Sequence, residues 1–119
     1  MPRSLLLLAL AAALSLAAAT AAHASVDAQA ARTCSVPNYP GSGYFLSLSV
    51  KGVTCTTGRK VTLAHYRCRT ARSRAGRCHR KVLHYSCSER RHSIAIEYDS
   101  RVTCKRGSKR VIYTYQQNT

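Results

Sequence analysis

Two periodicities divide the chain beyond its first 24 residues. Over residues 44–50 apolar side chains alternate with others, placing Tyr44, Leu46, Leu48 and Val50 on one face of a predicted strand. From Cys55 onward the spacing changes. Val61, Ala64, Cys68 and Ala71 fall on one side at i, i+3, i+7, with Thr57 above them and His65 at the edge, which predicts a short helix between Cys55 and Cys68. Thr56 or Thr57 is placed to cap its first amides, and Gly58 is tolerable in the first turn. Arg59, Lys60 and Arg67 mark its other side, interrupted by Leu63 and Tyr66.

Alternation returns over residues 81–87, with Leu83, Tyr85 and Cys87 opposed to Val82, His84 and Ser86. Residues 88–92 read as a charged loop and 94–98 as a short extended piece. Residues 101–104 and 111–115 read as two strands joined through Gly107-Ser108. A turn centred there sets Val111 opposite Cys104 and Tyr113 opposite Val102, giving one shared core face. The expected architecture is α+β: one short helix packed on a three- to four-stranded antiparallel sheet, stapled by disulfides.

The beginning of the chain belongs to a different category. Met1-Pro2-Arg3 precedes an apolar run over residues 5–19, and Ala22-His23-Ala24 has the small-x-small pattern that signal peptidase reads. Residues 1–24 are therefore expected to be a signal peptide, which makes the mature protein secreted, extracellular or cell-wall associated. Residues 25–42 read as an irregular lead-in, since 25–33 are small and polar and 37–43 are dense in turn formers. Residues 43–119 then form a single domain with no membrane span, expected to be monomeric.

All six cysteines, Cys34, Cys55, Cys68, Cys78, Cys87 and Cys104, follow the leader. An even number in a small exported chain reads as a disulfide framework, and a domain of this size needs such staples because its core is modest. Close Cys-x-x-Cys pairs, which a structural zinc site would use, are absent from the sequence. Cys68 and Cys78 flank one loop and are expected to pair. A strand returning along the helix would bring Cys87 near Cys55, leaving Cys34 for Cys104.

Several runs carry a resemblance. Gly43-Tyr44-Phe45, Val53-Thr54-Cys55-Thr56-Thr57-Gly58-Arg59-Lys60-Val61, Arg101-Val102-Thr103-Cys104-Lys105-Arg106-Gly107 and Thr114-Tyr115-Gln116-Gln117 together resemble a group of small secreted, cysteine-rich basic proteins of high-GC actinobacteria. The resemblance covers nearly all of the chain after the leader. Its most specific pieces are the Cys-x-x-(Ala/Gly)-Arg helix start and the Val-x-Cys-x-Arg-Gly hairpin. It implies a compact α+β domain and brings no activity, cofactor or catalytic residue with it.

Charge then narrows the functional classes. The sequence has 19 Lys and Arg against 4 Asp and Glu, a formal net charge of +15, and the leader accounts for only one of those cations, Arg3. Two clusters stand out: Arg67, Arg69, Arg72, Arg74, Arg77, Arg80 and Lys81 around the helix end, and Lys105, Arg106, Lys109 and Arg110 at the hairpin. They are the candidate polyanion-binding residues, for wall polymer, extracellular nucleic acid or acidic glycan, and if brought to the same end they would make one positive rim. The bland alternative is that these charges are only solvated and the tyrosines only core.

A rigid scaffold acting as protease inhibitor, toxin or antimicrobial protein is a second class, for which residues 70–77 supply the one candidate loop. A small basic hydrolase such as a ribonuclease is a third. His65, His79, His84 and His92 are available for it, but no spacing unites two of them, and no catalytic residue, metal ligand or cofactor is assigned.

Overall fold

The computed structural model describes residues 30–119, so the expected signal peptide lies outside the described residues. Five strands and one helix follow in the order β1 Arg32–Cys34, β2 Gly43–Lys51, α1 Cys55–Thr70, β3 Ser86–Ser93, β4 Glu97–Arg106 and β5 Lys109–Asn118. The strands form one sheet in the spatial order β1-β2-β5-β4-β3, with every neighbouring pair antiparallel. The architecture is α+β with one helix, as the sequence predicts, but the sheet has five strands rather than three or four. One additional strand, β1, lies in the stretch read as an irregular lead-in. The other is β3, which occupies the residues read as a charged loop.

The β4–β5 hairpin forms the centre. Gly107 takes φ +57°, the left-handed conformation that a tight turn requires, and the register pairs Cys104 with Val111 and Val102 with Tyr113. These four side chains, with Tyr115, are fully buried and form the middle of the core. Strand β2 joins on the other side of β5, and here the alternation misleads. A bulge between Phe45 and Ser47 inserts Leu46, so Phe45, Leu48 and Val50 face inward while Tyr44 and Leu46 are exposed.

Strand β3 corrects the sequence reading most. Residues 82–85 form a tight turn in which Val82 and Tyr85 exchange backbone hydrogen bonds of 3.0 and 2.8 Å. Leu83 and His84 occupy it at φ 48° and 67°, which leaves both exposed and only Val82 and Tyr85 buried. The strand starts after that turn, and its inward positions are Cys87, Glu89 and Arg91. Such a polar inner face carries no hydrophobic signature.

Helix α1 crosses from the end of β2 over the inner face of the sheet. Its cap is Thr54 rather than Thr56 or Thr57: the Thr54 hydroxyl accepts a hydrogen bond from the Thr57 amide at 3.2 Å. Its buried positions are Gly58, Val61, Thr62, His65 and Arg69, so the stripe is rotated from the predicted Val61–Ala64–Cys68–Ala71 face. Gly58 sits where the helix comes closest to the sheet, and a Cβ there would run into Val50.

The disulfides are Cys34–Cys55, Cys68–Cys78 and Cys87–Cys104. The local bridge, Cys68–Cys78, is the predicted one; the Cys55–Cys87 and Cys34–Cys104 pairs are not formed. Cys87 and Cys104 are direct cross-strand partners in the β3–β4 hairpin, which the loop reading of residues 88–92 concealed. Cys34, on β1, ties the outer edge of the sheet to the first residue of the helix.

Candidate functional site

Two arginines inside the domain determine which cations are left for the surface. Arg69, one of the predicted polyanion-binding residues, is 1% exposed. Its guanidinium stacks 4.0 Å from the Tyr115 ring centroid and donates to the Tyr39 hydroxyl (2.7 Å), Gln117 Oε1 (3.1 Å), the Tyr98 hydroxyl (3.3 Å) and the Arg74 carbonyl (3.4 Å). Arg91 stacks over Tyr98 at 4.4 Å, pairs with Glu89 at 2.5 Å and donates to the Ala75 and Gly76 carbonyls at 2.7 and 3.0 Å. Tyr115 closes the network by donating to Glu89 Oε1 at 2.8 Å. Burial raises the Tyr115 phenol well above its usual range, and the neighbouring Glu89 carboxylate adds to the effect against the lowering influence of Arg69.

The loop over residues 71–77 is thus exposed in its side chains but anchored to the core through its backbone carbonyls. The Arg74 carbonyl also accepts from the Tyr98 hydroxyl (2.8 Å) and Gln117 Nε2 (2.7 Å), so three elements hold it. Its carbonyls point inward, whereas an inhibitory loop must present its backbone outward to a protease. The geometry therefore gives the inhibitor reading no support. Outside this inward backbone, Arg72, Arg77, Arg80 and His79 line an open groove of about 690 Å³ beside Cys68 and Gly76. Arg77 is partly neutralised there by Glu89 at 3.4 Å.

The two predicted clusters do not form one rim. Arg69 and the carbonyl of Arg74 contact Tyr98 and Gln117, at one end of β4 and β5, while Lys105, Arg106, Lys109 and Arg110 surround the turn at the other. Seven residues of extended chain separate Tyr98 from Lys105, about 23 Å at the rise of a strand. Arg67, Arg72, Arg74, Arg77, Arg80 and Lys81 are exposed, but Arg80 and Lys81 lie on the segment returning towards β3, beside Ser86 and Cys87.

A third basic surface escaped the sequence reading. The helix covers one face of the sheet, and the opposite face carries Arg90 on β3 and Arg101 and Lys105 on β4. Arg90 and Arg101 are direct cross-strand partners. With Ser88 and Thr103 they line a shallow depression of about 290 Å³. The signal was present in the Arg101-Val102-Thr103-Cys104-Lys105 alternation, but its partner strand was hidden.

Among the histidines, His65 is buried and hydrogen-bonded through Nδ1 to the Tyr113 hydroxyl. Desolvation lowers its pKa to about 4, so it is neutral inside the fold. His79, His84 and His92 are exposed at separate places on the surface. Among the described residues no group of three His, Cys, Asp or Glu side chains is disposed to hold a metal ion, and no helix is long and apolar enough to cross a membrane.

The fold and its surfaces define a class: a small disulfide-stapled α+β domain whose core is closed by tyrosines and arginines and whose surface is dominated by cations. Comparison with protein-family models, with curated proteins and with solved structures found no match.

Proposed function

We propose that the chain is a secreted, basic binding protein that contacts polyanions through its exposed arginines and lysines, and that it acts by binding rather than by catalysis. One observation carries this reading. Both ion pairs among the described residues fall on a single acid, Glu89, whose side chain is 7% exposed. The one carboxylate that forms ion pairs among the described residues is therefore used largely inside the fold. Glu97 accepts from the neutral Gln116 Nε2 and forms no ion pair among the described residues. Apart from Arg77, the exposed cations among the described residues are left to counterions, and a linear polyanion would release several of those counterions at once. Three disulfides and the absence of a membrane-crossing helix among the described residues are compatible with secretion.

The test is retention of the oxidised protein on heparin, single-stranded DNA and poly(glycerol phosphate) across a salt series. Binding to all three should weaken steeply with salt, with a slope that counts the cations engaged. Absence of binding to every polyanion at low salt would show the charge to be only a solvated surface.

A further inference from the structure

We infer that the uncovered face of the sheet holds a discrete oxyanion site, formed by Arg90, Arg101 and Lys105 with the hydroxyls of Ser88 and Thr103, and that its ligand is a base-free phosphodiester polymer, a polyol phosphate. The inference rests on the polyanion reading and narrows it to one place and one chemistry.

Register alone assembles the site. On β3 and β4 the direct partners are Ser86 with Lys105, Ser88 with Thr103, and Arg90 with Arg101. All six sit at outward positions, and five of them line the depression of about 290 Å³. The lining offers two guanidiniums, one ammonium and two hydroxyls, and no carboxylate. None of these side chains donates to another group of the described protein. The nearest acid on this face, Asp99, sits one row further along, opposite His92, and pairs with neither arginine.

Like charges directly opposite each other on adjacent strands repel. Here the repulsion is not relieved by strand movement, because both strands are clamped from behind. Cys87–Cys104 bridges them on the inner side, one residue before Ser88 and one after Thr103, and Glu89, Arg91 and Tyr115 lock the next row. A phosphate between the two guanidiniums would convert that repulsion into two charge-assisted contacts on groups already held in place.

The same face argues for the kind of polymer. The row of Lys105 continues through Arg110 on β5 to Lys51 on β2. The Arg110 guanidinium is folded back on the Gly107 and Lys109 carbonyls, so Lys105 and Lys51 supply that row's free charge. Between the two cationic rows lie Ile112 and Ser49, while Thr114 and Ser47 extend the row of Arg90 and Arg101, all at outward positions of β5 and β2. The large rings of β4 and β5, Tyr98, Tyr113 and Tyr115, are buried on the other face, and Tyr44 stands in the last row beside Gln116. Single strands of nucleic acid are ordinarily gripped by aromatic platforms as well as cations. This face has cations and hydroxyls around the site and a single exposed ring, Tyr44, in the next row and two strands away from Arg101, rather than a series of stacking platforms, which suits phosphates joined by small polyols.

The experiment compares Arg90→Gln with Arg101→Gln against a control of equal charge change outside the basic clusters, Arg32→Gln with Lys60→Gln, in the full oxidised protein. Affinity for poly(glycerol phosphate) at moderate salt should fall on the order of 10- to 100-fold in the first double variant and less than about threefold in the control. Amide shifts on adding inorganic phosphate should centre on Ser88, Arg90, Arg101, Thr103 and Lys105. All four substituted side chains are exposed, and unchanged circular dichroism checks that both variants remain folded. Equal losses in the two variants would overturn the site while leaving general polyanion binding intact. Tighter binding of single-stranded DNA at equal charge would overturn the ligand class. No binding of any polyanion by the unaltered protein would instead overturn the proposed function itself.

Discussion

Replacing Cys68 and Cys78 by alanine should cost more than the small loop they close would suggest. The bridge spans a sequence separation of 10, and the loop-entropy relation assigns such a closure about 2.7 kcal/mol. That figure treats the loop as an isolated ring. In this fold the Arg74 carbonyl accepts from Arg69, Tyr98 and Gln117, and the Ala75 and Gly76 carbonyls accept from Arg91. Three of those five bonds have a charged donor, for which about 2 kcal/mol each is reasonable, and the other two are worth about 1 kcal/mol each. Water at the mouth of the groove replaces part of this, so half is a fair allowance when the loop swings out. The double variant should then lose roughly 7 kcal/mol, about 4 from the bonds added to the loop-closure term, a large share of a small domain's stability.

Guanidinium unfolding followed by far-ultraviolet circular dichroism and tyrosine emission reads this directly, since the chain has no tryptophan to mask the tyrosines. Adding Arg69→Met to both backgrounds completes a cycle, and a coupling above about 1 kcal/mol is expected if the loop and the arginine form one unit. A loss of no more than about 2.7 kcal/mol, additive with Arg69→Met, would refute the reasoning.

Two further outcomes follow from the inner face. His65 has its folded pKa lowered to about 4 from an ordinary 6.5, so the unfolded chain binds more protons in between and stability must fall as pH drops from 6.5 towards 4. The contribution lost by pH 4.5 is roughly 2.5 kcal/mol; unfolding midpoints at pH 7 and 4.5 should differ less in His65→Gln, and an unchanged difference would contradict the assignment. Gly58→Ala gains about 1 kcal/mol of helix propensity but forces a methyl group into Val50, for which 1–3 kcal/mol is typical, so a net loss is expected in thermal unfolding and a higher melting temperature would refute the close helix–sheet approach.

Hydrophobic periodicity was informative where the inner face is apolar. The helix from Cys55, the β4–β5 hairpin and its Val102–Tyr113 and Cys104–Val111 pairs were all legible, because a two-residue turn fixes register once its centre is known. The β3–β4 hairpin obeys the same geometry, and a turn centred on Ala95-Ile96 would have placed Cys87 opposite Cys104. It was missed because Glu89 and Arg91 point inward, reversing the usual rule that alternation of apolar side chains marks a strand. The rotated helix face has the same origin: His65 and Arg69 occupy positions that ordinarily hold aliphatic residues. Without β3, neither the two remaining disulfides nor the Arg90–Arg101 pair was accessible. What is written in the sequence as charge is, in three of these cases, interior.

The sheet also has two free edges, and their make-up bears on behaviour at high concentration. At one, β1 offers only three residues, Arg32–Cys34. At the other, β3 is paired with β4 along all eight residues, Ser86–Ser93, and leaves its outer edge free, without a single Leu, Ile, Val, Phe, Tyr or Trp side chain. A second molecule adding its own β3 there would have to stack Arg90, Arg91 and His92 against the same cationic strand, with no apolar contact in return. Such an edge discourages the strand-by-strand growth that leads to fibres. Those charges also keep the protein apart from its own copies, so a drop in solubility is the expected cost of removing them.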